Sequence, residues 1–267
     1  MVDQTAQKAD RHAQLSEAVT AALISMLWAL WGRLDARGWW DDQLVQSNAD
    51  RSATFVASAL RQARLNQRSV LSSVLRDLNA LPKTLPKPST DYVRIGVTPA
   101  EVYLRPAKQY QYAFSQGKTF QEARQVAQTR IENLASTDVL KAQMLESRDV
   151  LKASPKVIGS RRIIHPELAK DHLSCGLCVV ASTRFYKVGE LQPIHDRCNC
   201  GVLPITADSD PGLKLNQADL KKFYTAAGST SAADLLNTRV SVHENGELGP
   251  ILTRYGDAFR SPSDLPN

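Results

Sequence analysis

The four cysteines of this 267-residue chain, Cys175, Cys178, Cys198 and Cys200, fall within 26 positions. With His195 they read Cys-x2-Cys-x16-His-x2-Cys-x-Cys. A Cys-x2-Cys turn lets two thiolates reach one ion without strain, and a second ligand pair some 15–20 residues on closes a tetrahedral site. Thiolate and imidazole select zinc over magnesium or calcium. Five candidates compete for four places: Cys175, Cys178 and Cys198 are the firm ones, and the fourth is either His195 or Cys200. Four protein ligands leave no open position for water, so the expected zinc is structural rather than catalytic. Two disulfides would demand an oxidising compartment, and Met1-Val2-Asp3-Gln4 does not begin like a secretory leader. A cysteine nucleophile with His195 as its base fits poorly, because a metal-bound thiolate has its lone pair committed.

Other chemistry is weakly signalled. The sequence carries no Gly-x-Ser-x-Gly elbow, no phosphate loop and no His-Glu-x2-His motif. His165, Asp171 and Ser174 crowd one short stretch and do not make a credible catalytic triad. His165 and His172 read as ordinary polar residues.

The elements that must hold the cluster divide the chain in five. Residues 1–81 read as helical, with apolar residues at Val56, Leu60, Ala63, Val70, Val74, Leu78 and Leu81 along one face. Arg61, Arg64, Arg68 and Arg76 fall between them and are expected on a solvated outer face. Pro82, Pro86 and Pro88 end the helix and open a linker over 82–97. Residues 98–154 form a second helical block. Thr98-Pro99-Ala100-Glu101 and Thr119-Phe120-Gln121-Glu122 are capping boxes, Pro106 splits a helix, Gly117 stops one, and Ser136-Thr137-Asp138 caps a third. Residues 155–206 hold the cysteines, with short strands expected at Val157-Ile158, Ile163-Ile164, Phe185-Tyr186 and Val202-Leu203. Residues 207–267 form an extension: Asn216 caps a short helix, Val240-Ser241-Val242 is a strand, Asn245-Gly246 a turn, and the tail from Arg260 is disordered. The fold class is α+β, a mainly helical N-terminal part followed by a small zinc-stapled module.

Composition narrows the class further. Hydrophobic residues make 43% and charged residues 22%, which excludes wholesale disorder. The formal charge is +6, and the surplus sits in residues 91–206, where 16 basic and 11 acidic residues fall. That permits contact with nucleic acid without demanding it. Ala18 to Gly32 is a run of 15 uncharged residues. A membrane span needs about 20, so a buried helix is expected there. Trp28, Trp31, Trp39 and Trp40 cluster beside it and suggest a packing or partner surface, core being the commoner explanation for Trp28 and Trp31, and residues 1–80 are expected to carry a docking contact.

The stretch from Arg162 to Leu168, then Cys175-Gly176-Leu177-Cys178, Tyr186 and Leu191-Gln192-Pro193-Ile194-His195-Asp196-Arg197-Cys198-Asn199-Cys200 closely resembles the phage Mu F-like minor head proteins, above all those from tailed phages of actinobacteria. Tyr224 to Thr230 and His243 to Thr253 look like the tail of the same proteins. The resemblance covers residues 157–253, and residues 1–150 match only as a long helical lead-in. It implies a structural, non-enzymatic protein of the head interior near the portal, acting in head morphogenesis. Its implied partners are the portal and capsid or scaffold proteins, with packaged DNA as a further contact and no membrane. It implies the virion as location, with the host cytoplasm during assembly. Proteins of this look are also labelled capsid maturation proteases, which is the alternative function. A zinc-dependent nucleic-acid-binding module is the second.

Overall fold

The computed structural model describes residues 2–165, 176–190, 200–217, 240–245 and 249–254. The described part is mainly helical with small antiparallel sheets, an α+β architecture.

Two long helices open the chain: α1 (Val2–Trp31) and α2 (Asp42–Asp77), joined through a 3-10 turn at Gly38–Trp40. Asp41 caps α2 by accepting from the backbone N–H groups of Gln43 and Leu44. The helix ends before the prolines. Asn79 takes a left-handed conformation, φ 51°, and Ala80 N–H bonds back to Leu75 O at 2.7 Å. That reversed last turn satisfies the final carbonyls, so Pro82 only follows an end already made.

The second helical block keeps its sequence punctuation with one exception. Both capping boxes form, at Thr98 with Glu101 and at Thr119 with Glu122. Pro106 sits in the first turn of α4 (Arg105–Ser115), separated from α3 (Pro99–Tyr103) by Leu104. Gly117, φ 84°, closes α4 in a backbone shape that suits glycine. The expected cap at Ser136-Thr137-Asp138 is not used: α5 runs unbroken from Phe120 to Lys152. Ser136 turns its hydroxyl onto Glu132 O at 2.6 Å, and Asp138 is fully buried as an ion-pair partner. Neither side chain competes for the helix backbone in the way a cap does.

The main core lies where α1, α2, α4 and α5 meet. Trp31 stacks on Trp39 at 5.7 Å and Trp39 on Tyr110 at 4.6 Å, with Leu23, Leu27, Val56, Leu60 and Ile131 buried around them. Trp31 Nε1 donates to Ser52 Oγ at 3.0 Å, so the buried indole is satisfied. The tryptophan cluster is therefore largely interior, and of the four Trp40 is the most exposed. The outer side of α1 carries exposed Leu15, Ala18, Ala22, Ser25, Met26 and Ala29. By length and composition, Gln4–Trp31 is apolar enough to cross a membrane.

The expected outer basic face of α2 is partly inward. Arg64 is 3% exposed and donates to Asp91 O at 2.7 Å, and Arg68 pairs with Glu146 and reaches Pro86 O. Both hold residues 82–97 against α2 and α5. The same segment places Tyr92 and Arg94 on Asp138, at 2.6 and 2.7 Å, with Tyr103 Oη joining at 3.3 Å. Three donors on one buried carboxylate fasten this irregular stretch as a strap.

Residues 157–163 form one strand, β1 (Val157–Ile163), where two were expected around Gly159-Ser160. It pairs antiparallel with β2 (Gly201–Thr206), with an irregularity between Val157 and Gly159. Phe185-Tyr186 contributes an isolated bridge, Tyr186 with Ser160, rather than a strand. A Cβ on Gly159 would lie 2.4 Å from the Phe185 ring and 2.7 Å from Tyr186 O, so the bridge depends on glycine there. A short helix, α6 (Gly176–Ser182), lies against β1. Val240-Ser241-Val242 lies within β3 (Val240–Asn245), which forms a hairpin with β4 (Gly249–Arg254). Gly246 and the tail from Arg260 lie outside the described residues.

Candidate metal centre

Antiparallel pairing decides which side chains share a face. Directly opposed residues lie on the same side and alternate residues return to it. Arg162 is opposite Val202, and Ile163 opposite Gly201. The register therefore places Arg162 and Val202 on one face and Arg161, Ile163 and Leu203 on the other, and Ile164 and Cys200, just beyond the paired ends, join the cluster of Val202. Burial follows that division. Ile164, Cys200 and Val202 pack with Cys178, Val179 and Ala181 of α6 and with Tyr186, whereas Ile163 and Leu203 pack on Val74 of α2. On the second face, Arg161 grips Asp210 with Nε and Nη2 at 2.6–3.0 Å and reaches the carbonyl of Thr183.

Cys178 and Cys200, one from each half of the cysteine pattern, are thus 4% and 8% exposed in the same apolar cluster. Cys175, His195 and Cys198 lie outside the described residues. Among the described residues, no three of His, Cys, Asp and Glu gather closely enough to hold an ion. The donor chemistry suits zinc: two thiols from either end of the motif are withdrawn from water in one cluster. In such a site Cys178 and Cys200 would hold the ion together with partners from the remaining three candidates, and the bound metal would cross-link α6 to β2.

His165 is more than an incidental polar residue. It is 5% exposed, and a Cβ on Gly201 would lie 3.2 Å from its Nε2, which packs the imidazole on the backbone beside Cys200. Its Nδ1 is 3.9 Å from Asp10 Oδ1 of α1. His12, one helical half-turn further on, is buried, and its pKa is lowered to about 4, first by burial and then by the neighbouring His165. Asp171 and Ser174, the other two residues weighed for a triad, lie outside the described residues.

Two features of the site escaped the sequence reading. Asn216, expected to cap a helix, lies inside the helical stretch 211–217 and is 1% exposed. Its amide donates to Arg162 O and Ser182 O at 2.7 and 3.0 Å and accepts from Ile164 N–H at 3.3 Å, locking the end of β1 to the end of α6. Arg162 is wholly buried and its charge acts on Tyr186, whose hydroxyl donates to Ala181 O at 3.0 Å. Burial raises the Tyr186 pKa and Arg162 works against the rise, so the phenol stays neutral. The signal for Arg162 was present, since an Arg pair between Val157-Ile158 and Ile163-Ile164 interrupts an apolar run.

Comparisons of the chain with known protein families, with curated proteins and with solved structures find no match.

Proposed function

We propose that this chain is a minor head protein of a tailed phage, similar to the Mu F-like proteins, with a zinc-stapled module and no enzymatic role. The observation that carries the reading is the Cys-x2-Cys-x16-His-x2-Cys-x-Cys pattern together with the burial of Cys178 and Cys200 in one cluster. A module of about 50 residues has little core of its own, and a metal of this kind supplies folding free energy on the order of 10 kcal/mol. The partners proposed are the portal and the capsid or scaffold proteins, inside the head. Packaged DNA is a secondary contact, in keeping with the basic surplus of residues 91–206.

The test has two arms. Elemental analysis of the purified chain should give about one zinc per molecule. Mass spectrometry of purified virions, with localisation by electron microscopy, should place the protein at the portal vertex. A folded, metal-free chain would remove the zinc, and absence from particles would remove the head assignment. Shortening of the major capsid protein on co-expression, lost in Ser174→Ala or His165→Ala, would replace the structural role with maturation protease.

A further inference from the structure

We propose that the surface where the end of α5, the start of β1 and the turn after α6 converge is a seat for the phosphate backbone of duplex DNA, carried by Lys152, Lys156 and Lys187; it rests on the reading above and gives the DNA contact in it a place. The three elements are joined by contacts of the backbone. Tyr186 bridges to Ser160 of β1, and the end of the Phe185 ring rests against Gly159. The turn 187–190 is closed by Glu190 N–H donating to Lys187 O at 3.0 Å. Its Gly189, φ 93°, lies on the end of α5, where a Cβ would meet Lys152 Cε at 3.2 Å and Arg148 Cγ at 3.5 Å. Lys156 leads into β1 from the other side.

The charge at this junction is one-sided. Lys152, Lys156 and Lys187 are exposed and have no ionic partner among the described residues. The carboxylates beside them are engaged: Asp149 pairs with Arg148 at 3.1 Å, and Glu190 accepts the backbone N–H of Lys187 at 3.1 Å. Ammonium groups on flexible stems meet phosphates as point charges, and contacts of that kind position a duplex without reading its bases. Two apolar side chains accompany them, Ile158 and Phe185, 52% and 49% exposed. A single-stranded ligand would need a free aromatic face for its bases. Phe185 does not stand free, because Cζ and Cε2, the far end of its ring, are the atoms against Gly159. A protein partner would be anchored by side chains seated in a desolvated pocket, and two half-exposed apolar groups among lysines do not make one. What the surface offers is charge for a backbone, and that suits duplex DNA of any sequence.

The experiment measures binding of the full-length chain to a short fluorescent duplex of mixed sequence, by anisotropy over a salt series. A single strand of the same sequence and poly-glutamate serve as competing polyanions. On logarithmic axes the affinity should fall linearly with salt, with a slope of about −0.9 for each phosphate contact. Replacing Lys152, Lys156 and Lys187 together by glutamine should flatten that slope by about 2.7. Lys83→Gln with Lys87→Gln removes two exposed lysines of the strap and should leave slope and affinity as in the wild type. An unchanged slope in the triple variant, or an equal loss per lysine in the strap variant, overturns the proposal. Should the triple variant lose its helical circular dichroism, the three single variants decide: each should flatten the slope by about 0.9, and three unchanged slopes overturn it. Tighter binding of the single strand, or equal binding of poly-glutamate, overturns it in favour of those partners. A chain present in virions that binds no duplex sinks this inference and leaves the head reading. Duplex binding that is lost in the triple variant supports the surface even for a chain absent from particles, a result that removes the head reading alone.

Discussion

His12 concentrates the residue-scale physics in one group. Its Nε2 is buried without a hydrogen-bond partner, and its pKa is about 4 against 6.5 for an unperturbed histidine. The folded chain therefore holds it neutral over a range in which the unfolded chain protonates it. Where the unfolded state binds more protons, stability rises with pH. The contribution of His12 is thus complete above about pH 6.5 and is lost as the pH falls toward 4, a difference of about 3 kcal/mol. Urea titrations at pH 7 and pH 4.5 should show that loss in the wild type. His12→Leu should remove most of it, and an unchanged pH dependence in that variant would place the sensitivity elsewhere. None of this was legible in the sequence, where His12 is one of five histidines beside no motif. Its environment is made by burial and, second, by the charge of His165, a residue 153 positions away. The cysteine pattern stood out for the opposite reason: residue spacing is a local property of the chain.

At the scale of elements, α2 and α5 each serve two cores. The middle of α2 packs Val56, Leu60 and Ala63 on the stacked aromatics, and its end carries Leu71 and Leu75 into the cluster that holds Cys178 and Cys200. Likewise α5 gives Ile131 and Leu134 to the first, and Leu140, Met144 and Leu151 to the second. Leu71→Ala should cost about 2–5 kcal/mol, the range for an emptied leucine site in a core. On the zinc reading proposed above, its effect should also reach the metal, seen as faster zinc release to a chelator; release at the wild-type rate would mean that the module stands independently of α2. Element boundaries in this region were read well where chemistry is local: both capping boxes, the Pro106 break and the Gly117 stop came directly from residue types. They were read poorly where a long-range partner takes the residue. Asp138 is drawn into the Arg94 pair rather than capping a helix, and Asn216 bridges β1 and α6 from inside a helical turn.

At the scale of the whole molecule, the fold class was legible, because helical periodicity and the change of texture at Pro155 both survive folding. The interior was not. Sequence periodicity shows that α2 has an apolar face but not that the face divides between two clusters, nor that residues 82–97 are strapped to Asp138. A chain that begins at residue 81 tests the point. Such a truncation strips Leu71, Leu75 and Ala80 from the cysteine cluster and leaves β1 and α5 with bare apolar sides. It should be insoluble or unfolded even with zinc, as judged by solubility and circular dichroism, and a well-folded, zinc-loaded fragment would refute the shared core. The same arrangement constrains how this chain can change by recombination. A cysteine module imported from a relative would have to arrive with a surface matched to the far ends of α2 and α5, or bring those helix ends with it. Exchange at Pro155, where the sequence texture changes, would cut through the packed cluster. A crossover that preserves the fold must keep residues from both sides of the strap together, so the inherited unit is larger than the motif that marks it.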